Sequence, residues 1–169
     1  IVEGMRLVLR LFPNAKGVIA IEDNKPEAIA AMTKACASDS NISVLEVKAK
    51  YPEGGERNLI GVVTGRQLRF GQLPADLGCV VCNVSSLNAI YRAVCKSEPL
   101  MTRLFTVSGD AVVKPHTMEV RIGTSCRELL EAAGGIKPEC TAKKILCGGP
   151  MMGMSIPDMD MPVVKTSNA

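Results

Sequence analysis

The chain has 169 residues, 47% hydrophobic and 22% charged, which is the composition of a folded protein with room for one ordinary domain or two small ones. Aromatic residues make up 3%, Trp is absent and the net charge is only +3, so neither a stacking surface nor a basic footprint for nucleic acid is expected. No stretch approaches the ~20 consecutive apolar residues of a membrane-spanning helix, so no direct membrane span is expected, while docking on a membrane complex stays open.

The apolar residues 1–12 carry Glu3, Arg6 and Arg10 at helical spacing and lack the order of a secretory signal, so they read as an amphipathic helix. With Ile1 in place of an initiator Met, the sequence reads as an internal fragment. Val18 to Ile21 is a short apolar run suited to a buried strand. A helix is expected after Asn24, a candidate cap, with Pro26 near its first turn and Glu27 complementing its dipole. Residues 42–48 read as a second strand, and the order helix, strand, helix, strand predicts an α/β fold with a parallel sheet. After Gly54-Gly55, residues 59–63 form an apolar helical patch ending at Gly65. Residues 66–76 read as a loop, residues 77–84 (LGCVVCNV) as the most apolar strand, and residues 85–95 as a helix.

The texture changes near Ser97-Glu98-Pro99. Strands are expected over residues 104–110 and 118–122. A cap at Gly123-Thr124-Ser125, a short helix over 126–133 closed by Gly134-Gly135, and a strand over 144–147 follow. Strand, strand, helix, strand in this span predicts an α+β unit of the β-grasp kind. The Met- and Pro-rich tail has no clear periodicity, and Met151, Met152 and Met154 read as packing a domain edge.

Seven cysteines, an odd number, read as reduced and mostly buried thiols of a cytosolic protein. Cys79-x-x-Cys82 invites a redox or metal reading, but its spacing on a strand sends the two side chains to opposite faces, so buried strand cysteines are the expectation. His116 is the sole histidine, which excludes multi-histidine metal sites, and it reads as a surface turn residue. Three loops, at Glu22-Asp23-Asn24, at Gly54-Gly55 and at Asn83, follow predicted strands. In a parallel sheet they would converge on one crevice, where open α/β sheets bind ligands. Plain helix capping is the competing reading of the first of them.

The runs IEDNKPEAI, YPEGGERNLIGVVTGR, LPADLGCVVCNVSSLNAIYRAV, TVSGDAVVKP, IGTSCRELLEAAGG and KKILCGGPMMG together resemble the C subunit of the Rnf-type electron transport complex. That family is related to the NADH-oxidising flavoprotein subunit of respiratory complex I. The likeness runs through nearly the whole chain in the family's order. It implies a partial, Rossmann-like FMN-binding α/β domain over residues 1–99. A soluble-ligand-binding β-grasp (SLBB) domain over 100–150 and an irregular Met/Pro-rich tail over 151–169 would follow. It further implies a redox subunit that passes electrons from NADH through FMN to iron–sulfur clusters in an ion-translocating, membrane-associated complex. Its partners would be NADH and the other subunits of the complex. Its place would be the cytoplasmic face of the membrane, held there by those subunits.

A Tyr-x-x-Gly-Glu-Glu stretch lies by the flavin in the related flavoprotein of complex I. Tyr51, Gly54 and Glu56 match it, while Gly55 replaces one acid; of an Asn-Asn-Val stretch only Asn83 carries over. The resemblance thus makes Tyr51, Gly54, Gly55, Glu56 and Asn83 the cofactor-binding candidates, with no catalytic residue and no metal ligand. The glycines would let backbone approach the flavin closely, and Glu56 would repel a competing anion or contact nicotinamide; a plain turn is the alternative. The family's Gly-rich flavin and NADH loop lies upstream of the matching region. The cysteine clusters for its 4Fe–4S centres lie downstream, so those clusters belong to the full-length protein and the segment alone is expected to be inactive. Two other readings stay open: an SLBB docking module for a ligand or partner without flavin chemistry, and a cytosolic flavin reductase outside any membrane complex.

Overall fold

A computed structural model describes residues 1–141, 144–149 and 153–167, and the chain divides into two compact units, Ile1–Glu98 and Pro99–Ala169. In the first unit α1 (Val2–Leu11), β1 (Gly17–Glu22), α2 (Pro26–Cys36) and β2 (Ile42–Val47) follow one another. β1 and β2 pair in parallel, with Gly17 opposite Ile42 and Glu22 opposite Val47. The connection between parallel neighbours must cross over, and α2 supplies that crossover. Ile19 and Ile42 from the sheet, Val2 from α1 and Cys36 from α2 form the core. Arg6 on α1 holds Asp39, beyond α2, through Nη2 at 2.7 Å and Nε at 2.9 Å.

α3 (Glu56–Thr64) ends at Gly65, whose φ of +69° is the left-handed cap that glycine takes without strain. A 3₁₀ turn (Pro74–Leu77) and α4 (Val84–Lys96) complete the unit. α1 lies against α4 so closely that a Cβ at Gly4 would overlap the Leu87 carbonyl.

Several expectations need correction. Residues 79–83 form no strand. Gly78 closes the 3₁₀ turn in the left-handed conformation, Cys79 N–H donates to the Pro74 carbonyl at 3.0 Å, and Arg66 donates to the Leu77 carbonyl at 2.6 Å. These bonds hold the run as a loop, and Val80 stays 67% exposed. The cysteines are not mostly buried: only Cys36 is, whereas Cys82 and Cys95 are exposed and the other four lie between. With the strand over 77–84 missing, Asn83 follows no strand, and the expected three-loop crevice reduces to the ends of β1 and β2. α2 is capped at Lys25 without a side-chain bond, so neither Asp23 nor Asn24 caps it; Pro26 supplies the preset φ of the first turn.

The second unit contains β3 (Thr102–Val107), β4 (His116–Arg121), α5 (Cys126–Ala132), β5 (Leu146–Cys147) and β6 (Met154–Ser155). β3 and β4 pair antiparallel with Phe105 opposite Met118, and β5 and β6 pair antiparallel with Cys147 opposite Met154. Phe105, Val120 and Leu129 form the core with Val163, which is 2% exposed. Val163 reaches it because its N–H donates to the Thr124 carbonyl at 2.7 Å and its carbonyl accepts from Gly123 N–H at 2.8 Å. Packing of this unit therefore continues past residue 150. Met154 is 78% exposed and packs no edge, while Met151 and Met152 lie outside the described residues. His116 is exposed, opens β4 and donates from Nδ1 to the Lys114 carbonyl at 2.7 Å.

Candidate functional site

The parallel register brings the C-terminal ends of β1 and β2 side by side, and Asp23 clamps them. Its N–H donates to the Val47 carbonyl at 2.8 Å. Its carboxylate pairs with Lys48 Nζ at 3.0 Å and accepts from Ala49 N–H at 3.0 Å. The Lys48 ammonium, and then the Ala49 amide, hold this carboxyl below its ordinary range. Sequence reasoning treated Asp23 as a helix-cap candidate and missed the clamp. The readable signal was an acid just past one strand and a lysine just past the strand that pairs with it.

The clamp fixes the chain where it leaves β2 for the turn at Tyr51. In that turn Glu53 N–H donates to the Lys50 carbonyl at 2.7 Å, and the Pro52 carbonyl accepts from Gly55 N–H at 2.8 Å. Asn58 Nδ2 donates to the same Pro52 carbonyl at 3.1 Å, binding the turn to α3. The Tyr51–Pro52 peptide is cis, and the Tyr51 side chain stands 71% exposed.

The two glycines differ. A Cβ at Gly55 would sit 3.0 Å from the Pro52 carbonyl, so a side chain there would press on the turn itself. A Cβ at Gly54 would meet nothing within 4 Å, and Gly54 is not among the positive-φ glycines. Neither backbone conformation nor packing within the chain asks for glycine at Gly54.

Gly55 is also the N-cap of α3, and no side chain caps that end. Glu56 occupies the first turn and already complements the helix dipole there. A phosphate at this end would meet that carboxylate. Asn83 caps α4, its Oδ1 accepting from Ser85 N–H at 2.8 Å. Tyr51, Gly54, Gly55 and Glu56 thus share one turn. Asn83 belongs to a separate helix start, and among the described residues no hydrogen bond joins it to that turn. The turn is open to solvent over Gly54 and carries the Glu56 carboxylate at the start of α3.

The fold and this turn define a class. Residues 1–92 match the Nuo51 FMN-binding domain and residues 104–155 the SLBB domain. The chain belongs to the Nuo51 FMN-binding domain family, here followed by an SLBB domain. Among its relatives is the C subunit of the proton-translocating ferredoxin:NAD(+) oxidoreductase complex of Clostridium ljungdahlii, 42% identical over 99% of this chain and 36% of the relative. The C subunit of the Na(+)-translocating ferredoxin:NAD(+) oxidoreductase complex of Acetobacterium woodii is 40% identical over 98% of this chain and 37% of the relative. The C subunit of the ion-translocating oxidoreductase complex of Yersinia pestis is 39% identical over 99% of this chain and 27% of the relative. These relatives bear out the resemblance to the Rnf-type C subunit. The chain spans little more than a third of their length at most. Among the described residues no helix is long and apolar enough to cross a membrane.

Proposed function

We propose that the chain is the part of an Rnf-type C subunit that forms one wall of an FMN site, in a redox protein that moves electrons between NADH and iron–sulfur centres. The observation that carries this reading is Gly54: a glycine without an internal reason, in an exposed turn at the end of a parallel strand, inside the segment that matches the FMN-binding domain family. Tyr51 and Gly54 would border the ring, Gly55 would hold the turn, and Glu56 would set negative charge beside it. Asn83 would approach from the start of α4. FMN, when bound, accepts two electrons together and releases them singly, and the protein's part is to hold and tune it. The 4Fe–4S centres would belong to the longer protein.

The relatives' names support the further reading that the partners are the other subunits of an ion-translocating complex. NADH as the electron donor rests on the family resemblance alone, since the names pair ferredoxin with NAD(+). The place of work would be the cytoplasmic face of the membrane, reached through those partners. Titration of FMN by calorimetry tests the flavin reading. The 169-residue chain should bind weakly or not at all, because the Glu56 carboxylate stands at the helix start where a phosphate would have to dock. A chain extended by its own preceding segment should bind tightly and be yellow. Tight binding by the short chain, or none by the long one, would show that the turn is not the flavin wall.

A second reading rests on the other unit. Its cavity of ≈ 480 Å³, lined by Phe105, Val107, Leu129, Ile136, Ile145 and Ile156 among others, suits a docking module for a small apolar ligand. Saturable binding of an apolar dye that survives Gly54→Val would favour it.

A further inference from the structure

The same cavity carries two thiols that the flavin reading does not use. Cys126 is the first residue of α5 and Cys147 ends β5, and both line the cavity wall. Cys147 packs against the cluster that contains Leu129. Leu129 lies three residues after Cys126 on α5, so the two share a helix face. Cys126 and Cys147 thus line one cavity beside one apolar cluster, close enough for charge on Cys147 to act on the Cys126 thiol. Cys140, the remaining cysteine of this unit, is not part of the cavity lining. We propose that Cys126 and Cys147 form a reactive dithiol of the β-grasp unit, a modification site that closes to an intramolecular disulfide when it meets a low-molecular-weight disulfide such as oxidised glutathione.

The chemistry balances in two exchanges. The Cys147 thiolate attacks one sulfur of the small disulfide, forming a mixed disulfide and releasing one small thiolate. Cys126, having given up its proton, then attacks the Cys147 sulfur, forming the protein disulfide and releasing the second small thiolate. The protein loses two electrons and two protons, and the small disulfide gains both. The order of attack follows from burial. The Cys126 thiol is pushed up by loss of solvent and, secondarily, by charge on Cys147, so it is the poorer first attacker and enters second, losing its proton as it attacks the neighbouring mixed disulfide. The closed form would tie the first turn of α5 to β5 across the cavity.

Oxidised glutathione incubated with the native chain, followed by non-reducing peptide mapping, tests this. The expected product is a Cys126–Cys147 linked peptide lacking two hydrogen atoms, restored by dithiothreitol. Cys126→Ser should trap glutathione on Cys147, whereas Cys147→Ser should leave Cys126 largely unmodified. Should either variant misfold, the wild-type map alone decides. A Cys140 linkage would overturn the proposal. So would stable glutathione adducts on both cavity thiols, or modification confined to the exposed Cys82 and Cys95.

Discussion

Gly54 and Gly55 are neighbours with separate reasons for being glycine, and a substitution distinguishes them. Gly54→Val should leave folding intact, because a Cβ there has open space. In a chain extended to load flavin, the same change should abolish the yellow colour by collision, while the β-grasp unit keeps its circular dichroism. Undiminished loading would remove Gly54 from the site. The sequence shows these glycines plainly, and the YPEGGE run is one of those that carry the resemblance. It does not show which glycine the turn uses for itself, because that depends on where the Pro52 carbonyl points. The acid and the lysine of the Asp23 clamp stand in the sequence, but their pairing goes unread for a like reason. The clamp on Lys48 and Ala49 exists only once β1 and β2 are in register.

At the scale of elements, the cap of α5 was legible because its chemistry is local, whereas the cap expected at Asn24 does not form. Ser125 and Glu128 form a reciprocal capping box at the start of α5, with Ser125 N–H donating to the Glu128 carboxylate at 2.8 Å. Ser125→Ala should cost about 1 kcal/mol, read from the denaturant midpoint of the second unit. The failure at residues 77–84 has the opposite origin. An apolar run does not say whether a partner strand lies beside it, and Gly78 with Pro74 turns the chain before one is met. A contact between elements governs the acid response of the first unit. The Arg6 guanidinium hydrogen-bonds Asp39 and holds its carboxyl below the ordinary range. A carboxyl depressed in the folded state stabilises above its unfolded pKa, and that stabilisation is lost as pH falls through the lower folded value. Asp39→Asn should therefore flatten the stability profile below about pH 4, where an unfolded Asp titrates. An unchanged profile would assign acid sensitivity to other carboxylates.

For the whole molecule, the two core clusters share no residue: Val2, Ile19, Cys36 and Ile42 form one, and Phe105, Val120, Leu129 and Val163 the other. Leu129→Ala, at a side chain only 3% exposed, should destabilise the second unit by about 2–5 kcal/mol. Amide hydrogen exchange should then quicken in β3, β4 and α5 and stay unchanged in β1 and β2. Uniform acceleration through both units would mean that they unfold as one. The sequence discloses the order of elements in each unit through periodicity and turn residues. It conceals Val163, which sits in a Met- and Pro-rich stretch without a period and enters the core only through its bonds to Gly123 and Thr124.

The two-stranded parallel sheet has a colloidal consequence. β1 and β2 pair with each other alone among the described residues, so each strand has a flank outside the ladder. Such flanks present rows of amide and carbonyl groups that template the addition of another extended chain. Handled by itself at rising concentration, this protein should grow sheets from both sides, and light scattering should climb with concentration well below the temperature at which the helices melt.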